Sequence, residues 1–87
     1  MKVSLDEIRQ VFSDLIQEKK SREEIASWAL SRQDANDDDN LEFEPIFEKK
    51  KIWKAIGYLT GVDLLDFDGS YLHSVENFVE FRKKLSL

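Results

Sequence analysis

The sequence of 87 residues contains no cysteine, one histidine and one proline. The absence of cysteine excludes disulfides, thiolate metal sites and cysteine nucleophiles. The longest uninterrupted apolar run covers only residues 28–30, whereas a bilayer span needs about 20 apolar residues. Asp6 and Glu7 stand where a signal peptide would need its apolar region. We therefore expect a cytoplasmic protein with no membrane partner.

Basic residues are also in deficit, since 13 Lys and Arg stand against 18 Asp and Glu and give a net charge of −5. A generic nucleic-acid binder needs a surplus of bases to displace counterions from phosphates, so this balance predicts no nucleic-acid partner. The charge is uneven, because residues 34–48 contain seven acids and no base. Four lysines follow and are interpreted as a solvated face: Lys49, Lys50, Lys51 and Lys54.

Four amphipathic segments with short links predict an all-α, four-helix bundle-like single domain over residues 1–87. Ser4 is the expected N-cap of the first helix, and Ser21 opens a capping box before the second, which is predicted to end near residues 32–34. Pro45 fits the first turn of the third helix, and Ser74 caps the fourth. A minimal β-hairpin between helices 3 and 4 is left open, because residues 66–70 have turn chemistry.

The sequence gives little support for a catalytic site or a metal site. Asp34, Asn36 and Asp38 have the spacing of an EF-hand loop, but Pro45 occupies the position of its bidentate Glu. His73 lies near serines and aspartates in sequence, which is weak support for a triad, so we expect it to pack beside the cap of helix 4. We predict no enzyme activity, no cofactor and no metal; a small hydrolase centred on His73 is kept as a third hypothesis.

The acidic surface is the strongest candidate for a binding site. Dense like charge repels itself and does not help folding, whereas a negative patch attracts a basic partner and speeds its arrival. The alternative is a solvated loop that only aids solubility. The predicted partner-binding residues are Asp34, Asp37, Asp38, Asp39, Glu42, Phe43 and Glu44, with Asp66, Asp68 and Tyr71 as a second patch.

Several segments resemble a known type of protein. Residues 21–29, residues 52–64 and the ending around residues 68–73 are similar to a family of small acidic bacterial proteins, many of which resemble immunity proteins of toxin systems, including contact-dependent growth inhibition. The resemblance implies a protein that binds and neutralises a cognate toxin domain, expected to be a basic nuclease. The alternative is a protein-interaction or regulatory module without a toxin partner. The oligomeric state is not assigned.

Overall fold

The computed structural model describes residues 1–87 and contains four α-helices and two short strands. A 3-10 helix over Ile46–Glu48 leads directly into the third α-helix. The elements in chain order are β1 (Lys2–Ser4), α1 (Leu5–Ile16), α2 (Arg22–Asp37), β2 (Glu42–Glu44), α3 (Lys49–Leu59) and α4 (Val75–Lys84). The protein is therefore mainly helical, as predicted, but it is not strictly all-α. No helix is long and apolar enough to cross a membrane.

One hydrophobic cluster of 16 buried residues joins all of these elements. Phe12 of α1 is fully buried, and its ring lies 6.0 Å from Phe81 and 6.3 Å from Tyr58, measured between centroids. Phe78 of α4 packs edge-on against Tyr58. The aromatic side chains of three helices thus meet at one point, where they supply much of the buried apolar area.

Three of the helices begin at the N-cap residues that the sequence predicted. Ser4, Ser21 and Ser74 are the N-caps of α1, α2 and α4, and each side-chain oxygen accepts a hydrogen bond from a backbone N–H of the first turn. Complete capping boxes are present at Ser21 and Ser74. These caps satisfy backbone donors that have no partner within the helix, which explains why three starts are readable from the sequence.

Helix α2 is longer than predicted, because it continues through Asp34 to Asp37. Ala35 is buried, and this packing holds the acidic last turn in a helical conformation. The helix then ends in a Schellman motif, in which Asn40 N–H donates to the Ala35 carbonyl and Asp39 adopts a φ of 55°. The same kind of ending, with a non-glycine residue at positive φ, terminates α1 and α4 at Glu18 and Ser86.

A parallel two-stranded sheet is the element that the sequence did not predict. Val3 pairs with Phe43, and both side chains point into the core while their neighbours remain more exposed. The hairpin left open between α3 and α4 exists as a single antiparallel bridge, between Leu65 and Tyr71. Gly69 in its turn adopts a φ of 85°, which glycine tolerates without strain.

Candidate functional site

The carboxylates of the predicted acidic surface are exposed and largely without a basic partner. Asp34 and Asp37 lie in the last turn of α2, Asp38 and Asp39 in its cap, and Glu42 on β2. None of these five side chains has a Lys or Arg nitrogen within 4.0 Å. Only Glu44, on the exposed side of β2, forms an ion pair, at 3.4 Å from Lys2.

Phe43 requires a correction. The sequence placed it in the acidic surface, but it is only 7% exposed. Because side chains alternate along a strand, the two exposed glutamates of β2 leave Phe43 facing inwards, where its ring meets Trp53 edge-on. It cannot anchor a partner at the surface.

The second predicted patch lies at the other end of α2. Asp68 accepts hydrogen bonds from the Oγ and the backbone N–H of Ser70, and these bonds lower the pKa of Asp68. The Tyr71 hydroxyl donates to Glu23 at 2.7 Å, and this bond lowers the pKa of Glu23 and raises that of Tyr71. The guanidinium of Arg22 lies 4.1 Å from the Tyr71 ring centroid. Tyr71 thus holds its loop against α2.

The two predicted patches are therefore not brought together. Asp66 lies in the same loop as Tyr71 and accepts a hydrogen bond from the Phe67 N–H. That loop contacts the first turn of α2, whereas Asp37 lies in its last. At 1.5 Å per residue, these two ends of the helix are about 20 Å apart. A partner on the first patch would not reach the second without covering the length of α2.

Helix α3 carries one of two clusters of bases, the other being the last turn of α4. Lys50 and Lys54 are exposed and lie one turn apart on the same side of the helix, and neither has a carboxylate within 4.0 Å. Lys51 pairs with Glu48 at 3.7 Å. Lys49 lies over the Phe43 ring and lines a cavity with Asp39 and Glu42, so it faces the acidic side.

Gly57 continues the exposed side of α3 beyond Lys54. A methyl group added at this position would meet no neighbouring atom within 4 Å. No other helix therefore packs closely against Gly57, which faces open space. Lys50, Lys54 and Gly57, spaced by four and three residues, form a surface that we call the basic face of α3.

Gly57→Ala will raise the free energy of unfolding by about 0.5–1 kcal/mol. Alanine restricts the unfolded chain and has a higher helix propensity, and no neighbouring atom opposes its methyl group. Urea denaturation followed by circular dichroism measures the change. A loss of stability would mean that something fills the space beside Gly57.

An aromatic stack begins at Tyr58, the residue that follows Gly57 in α3. The rings of Tyr58 and Phe81 are stacked at 3.8 Å between centroids. Burial raises the pKa of Tyr58. An open cavity beside this stack is lined by both rings and by Lys84 near the end of α4. Lys84 thus lies near Tyr58, the residue after Gly57, and Glu80 lines the same cavity.

Comparison with known proteins gives a clear family assignment. The family model described as YxzC DNA-binding protein matches residues 2–85. The chain belongs to the YxzC DNA-binding protein family. A curated relative, the uncharacterized protein YxzC of Bacillus subtilis (strain 168), is 31% identical over 64 residues, which are 74% of this chain and 47% of the relative. The chain thus spans about half the length of that relative. No solved structure matches the chain.

Membership of the YxzC family corrects four predictions. The resemblance to immunity proteins was wrong, since the family that matches nearly the whole chain is a different one. The toxin neutralisation inferred from it, and the basic toxin domain named as partner, are overturned with it. The exclusion of nucleic acid was also wrong, because the family is described as DNA-binding. The alternative of a regulatory module agrees better with the family.

The residues that sequence reasoning undervalued are the lysines of α3. Their clustering was visible, but the net charge of −5 argued against phosphate binding. The structure separates the charges, because it turns Lys49 towards the acids and leaves Lys50 and Lys54 free. The mid-helix glycine was the signal that could have identified this side of α3 as a surface.

Proposed function

We propose that this protein binds duplex DNA through the basic face of α3, as a non-enzymatic regulatory module of the bacterial cytoplasm formed by residues 1–87. The observation that supports this proposal is the line of Lys50, Lys54 and Gly57 along an exposed helix side. The family description, DNA-binding protein, points to the same class of partner.

The two free lysines supply the electrostatic part of binding. Each ammonium group that neutralises a phosphate releases condensed counterions, and this release favours association independently of base sequence. Neither Lys50 nor Lys54 forms an ion pair with a carboxylate, so neither has to lose one in order to contact phosphate. Lys84, near Tyr58 at the end of α3, can supply one further phosphate contact.

The glycine supplies the steric part of binding. With no side chain at Gly57 and nothing nearby, the helix backbone is uncovered at this point. A sugar–phosphate strand can therefore approach α3 more closely there than at any larger residue. Close approach shortens the distance between phosphates and the neighbouring lysines, which strengthens their attraction.

The overall negative charge does not prevent this mode of binding. Asp39 and Glu42 share a cavity with Lys49, whereas Lys50 and Lys54 have no carboxylate within 4.0 Å. At physiological ionic strength the Debye length is about 8 Å, so acids farther away act weakly on a bound phosphate. The local arrangement of charge, and not its sum, decides whether a phosphate is attracted.

The salt dependence of binding tests the proposal. Fluorescence anisotropy of a labelled duplex should show binding at about 50 mM salt that weakens as salt rises, with a log–log slope of about −2 to −3 for two or three phosphate contacts. Absence of binding at low salt, or an affinity that does not change with salt, would reject the basic face as a DNA-binding surface.

A further inference from the structure

Phe47 is an exposed aromatic residue that does not pack against the hydrophobic core. It lies in the 3-10 helix before α3 and is 83% exposed. It belongs neither to the hydrophobic cluster nor to the partly buried residues packed against it, and it makes no aromatic contact. A large apolar side chain so exposed contributes little to the stability of the fold, and its ring is free to contact a partner.

The position of Phe47 aligns it with the basic face. Phe47 precedes Lys50 by three residues and Lys54 by seven, which is the spacing of neighbours along one side of a helix. The 3-10 helix continues directly into α3, so the aromatic ring stands at the leading end of the line of lysines. A phosphate backbone held by the lysines would bring Phe47 against the bases.

We propose that Phe47 inserts between adjacent base pairs and bends the duplex, while Lys50 and Lys54 hold the flanking phosphates. Apolar wedges of this kind partly unstack a base step and kink the helix axis by about 20–90°. Burial of the Phe47 ring and closer phosphate contacts offset the cost of unstacking. This inference rests on the proposed function and assigns the mode in which that same face binds.

A second copy of the chain is a less suitable partner for Phe47. A two-fold symmetric interface would place this surface against its own equivalent. If that interface were centred on Phe47, it would bring the lysines of the two copies close together, and their like charges would repel. A polyanion, by contrast, is attracted by the lysines next to Phe47.

The chain itself provides a matched control. Phe67 is even more exposed, at 107% of the reference area, but it lies between Asp66 and Asp68. These carboxylates repel phosphates, so Phe67 has the exposure of a wedge without the charge that would bring it to DNA. Both phenylalanines can be replaced by alanine with little effect on the core, since neither packs against it.

The experiment uses a duplex with a central TA step, a flexible step that is easily unstacked, and 2-aminopurine at that step. We expect the native protein to raise 2-aminopurine fluorescence and to shorten the end-to-end distance measured by energy transfer. Phe47→Ala should lose both signals and about tenfold in affinity, while the salt slope stays unchanged. Phe67→Ala should behave as the native protein does.

Each other outcome has a definite meaning. Salt-dependent binding without unstacking or bending by the native protein would overturn the wedge and leave the proposed function intact. Equal effects of Phe47→Ala and Phe67→Ala would overturn it as well. A change of sedimentation from dimer to monomer in Phe47→Ala would show that Phe47 contacts a second copy. No binding at low salt would remove the proposed function itself.

Discussion

Lys50→Gln/Lys54→Gln will bind duplex DNA about 10–100-fold more weakly than the native protein at low salt, and its log–log salt slope will be smaller by about two. The reason is that each lysine removed gives up one phosphate contact and the counterions released with it. The fold should not change, since both side chains are exposed and make no ion pair within 4.0 Å. Fluorescence anisotropy over a range of salt concentrations measures both quantities.

Lys2→Gln/Arg9→Gln is the matched control for this pair. It changes the net charge by the same amount, but Lys2 is paired with Glu44 at 3.4 Å and Arg9 with Asp6 at 2.8 Å. Because these bases lie next to carboxylates and outside the basic face, their removal should leave the slope unchanged. If both double variants weaken binding equally, total charge and not the face of α3 governs DNA binding.

Phe12→Ala will lower the free energy of unfolding by about 3–5 kcal/mol, the range for a buried phenylalanine replaced by alanine. Phe12 is fully buried, and its ring packs against Tyr58 and Phe81. The substitution leaves a cavity where three helices meet, and a core this small has few other residues to close it. Chemical denaturation at equilibrium measures the loss, provided that the variant still folds at low temperature.

Phe67→Ala is the control for the stability measurement as well. Its side chain is fully exposed, so the free energy of unfolding should change by no more than about 0.5 kcal/mol. A destabilisation of Phe12→Ala as small as that of Phe67→Ala would mean that the aromatic cluster does not form the core.

The parts of the fold that could be predicted are those fixed by local chemistry. Ser4, Ser21 and Ser74 act within three residues of their own positions, and a capping residue is readable without knowledge of the rest of the fold. The pairing of β1 with β2 is different, because Val3 and Phe43 are distant in sequence and each strand has only three residues. Such a short segment has no periodicity from which a strand can be recognised.

The length of α2 shows a second limit of sequence-based prediction. Residues 33–40 have almost no apolar content and are rich in Asn and Asp, which favour turns and caps, so the sequence predicted an exposed loop there. The burial of Ala35 and the hydrogen bonds of the Schellman motif outweigh that local preference. These contributions come from tertiary packing and from a backbone conformation at Asp39 that is uncommon for a residue other than glycine.

The candidate site was missed for a related reason. A net charge is a sum over the chain, whereas a phosphate responds to the charges within a few ångströms of it. Lys49 and Lys50 are neighbours in sequence, yet one faces the acids and the other lies free on the basic face. The two lysines differ only in the direction in which their side chains leave the axis of α3. The net charge of the sequence carries no information about that direction.

The unpaired acids at the end of α2 have a consequence for how the protein would occupy a chromosome. Since they adjoin Lys49, a duplex lying across α3 could not turn towards them without facing several bare carboxylates. A crossing that keeps the duplex over Lys50 and Lys54 and away from Asp39 and Glu42 would therefore be favoured. With a net charge of −5, a protein that binds DNA in this way would not coat the double helix as a strongly cationic packaging protein does.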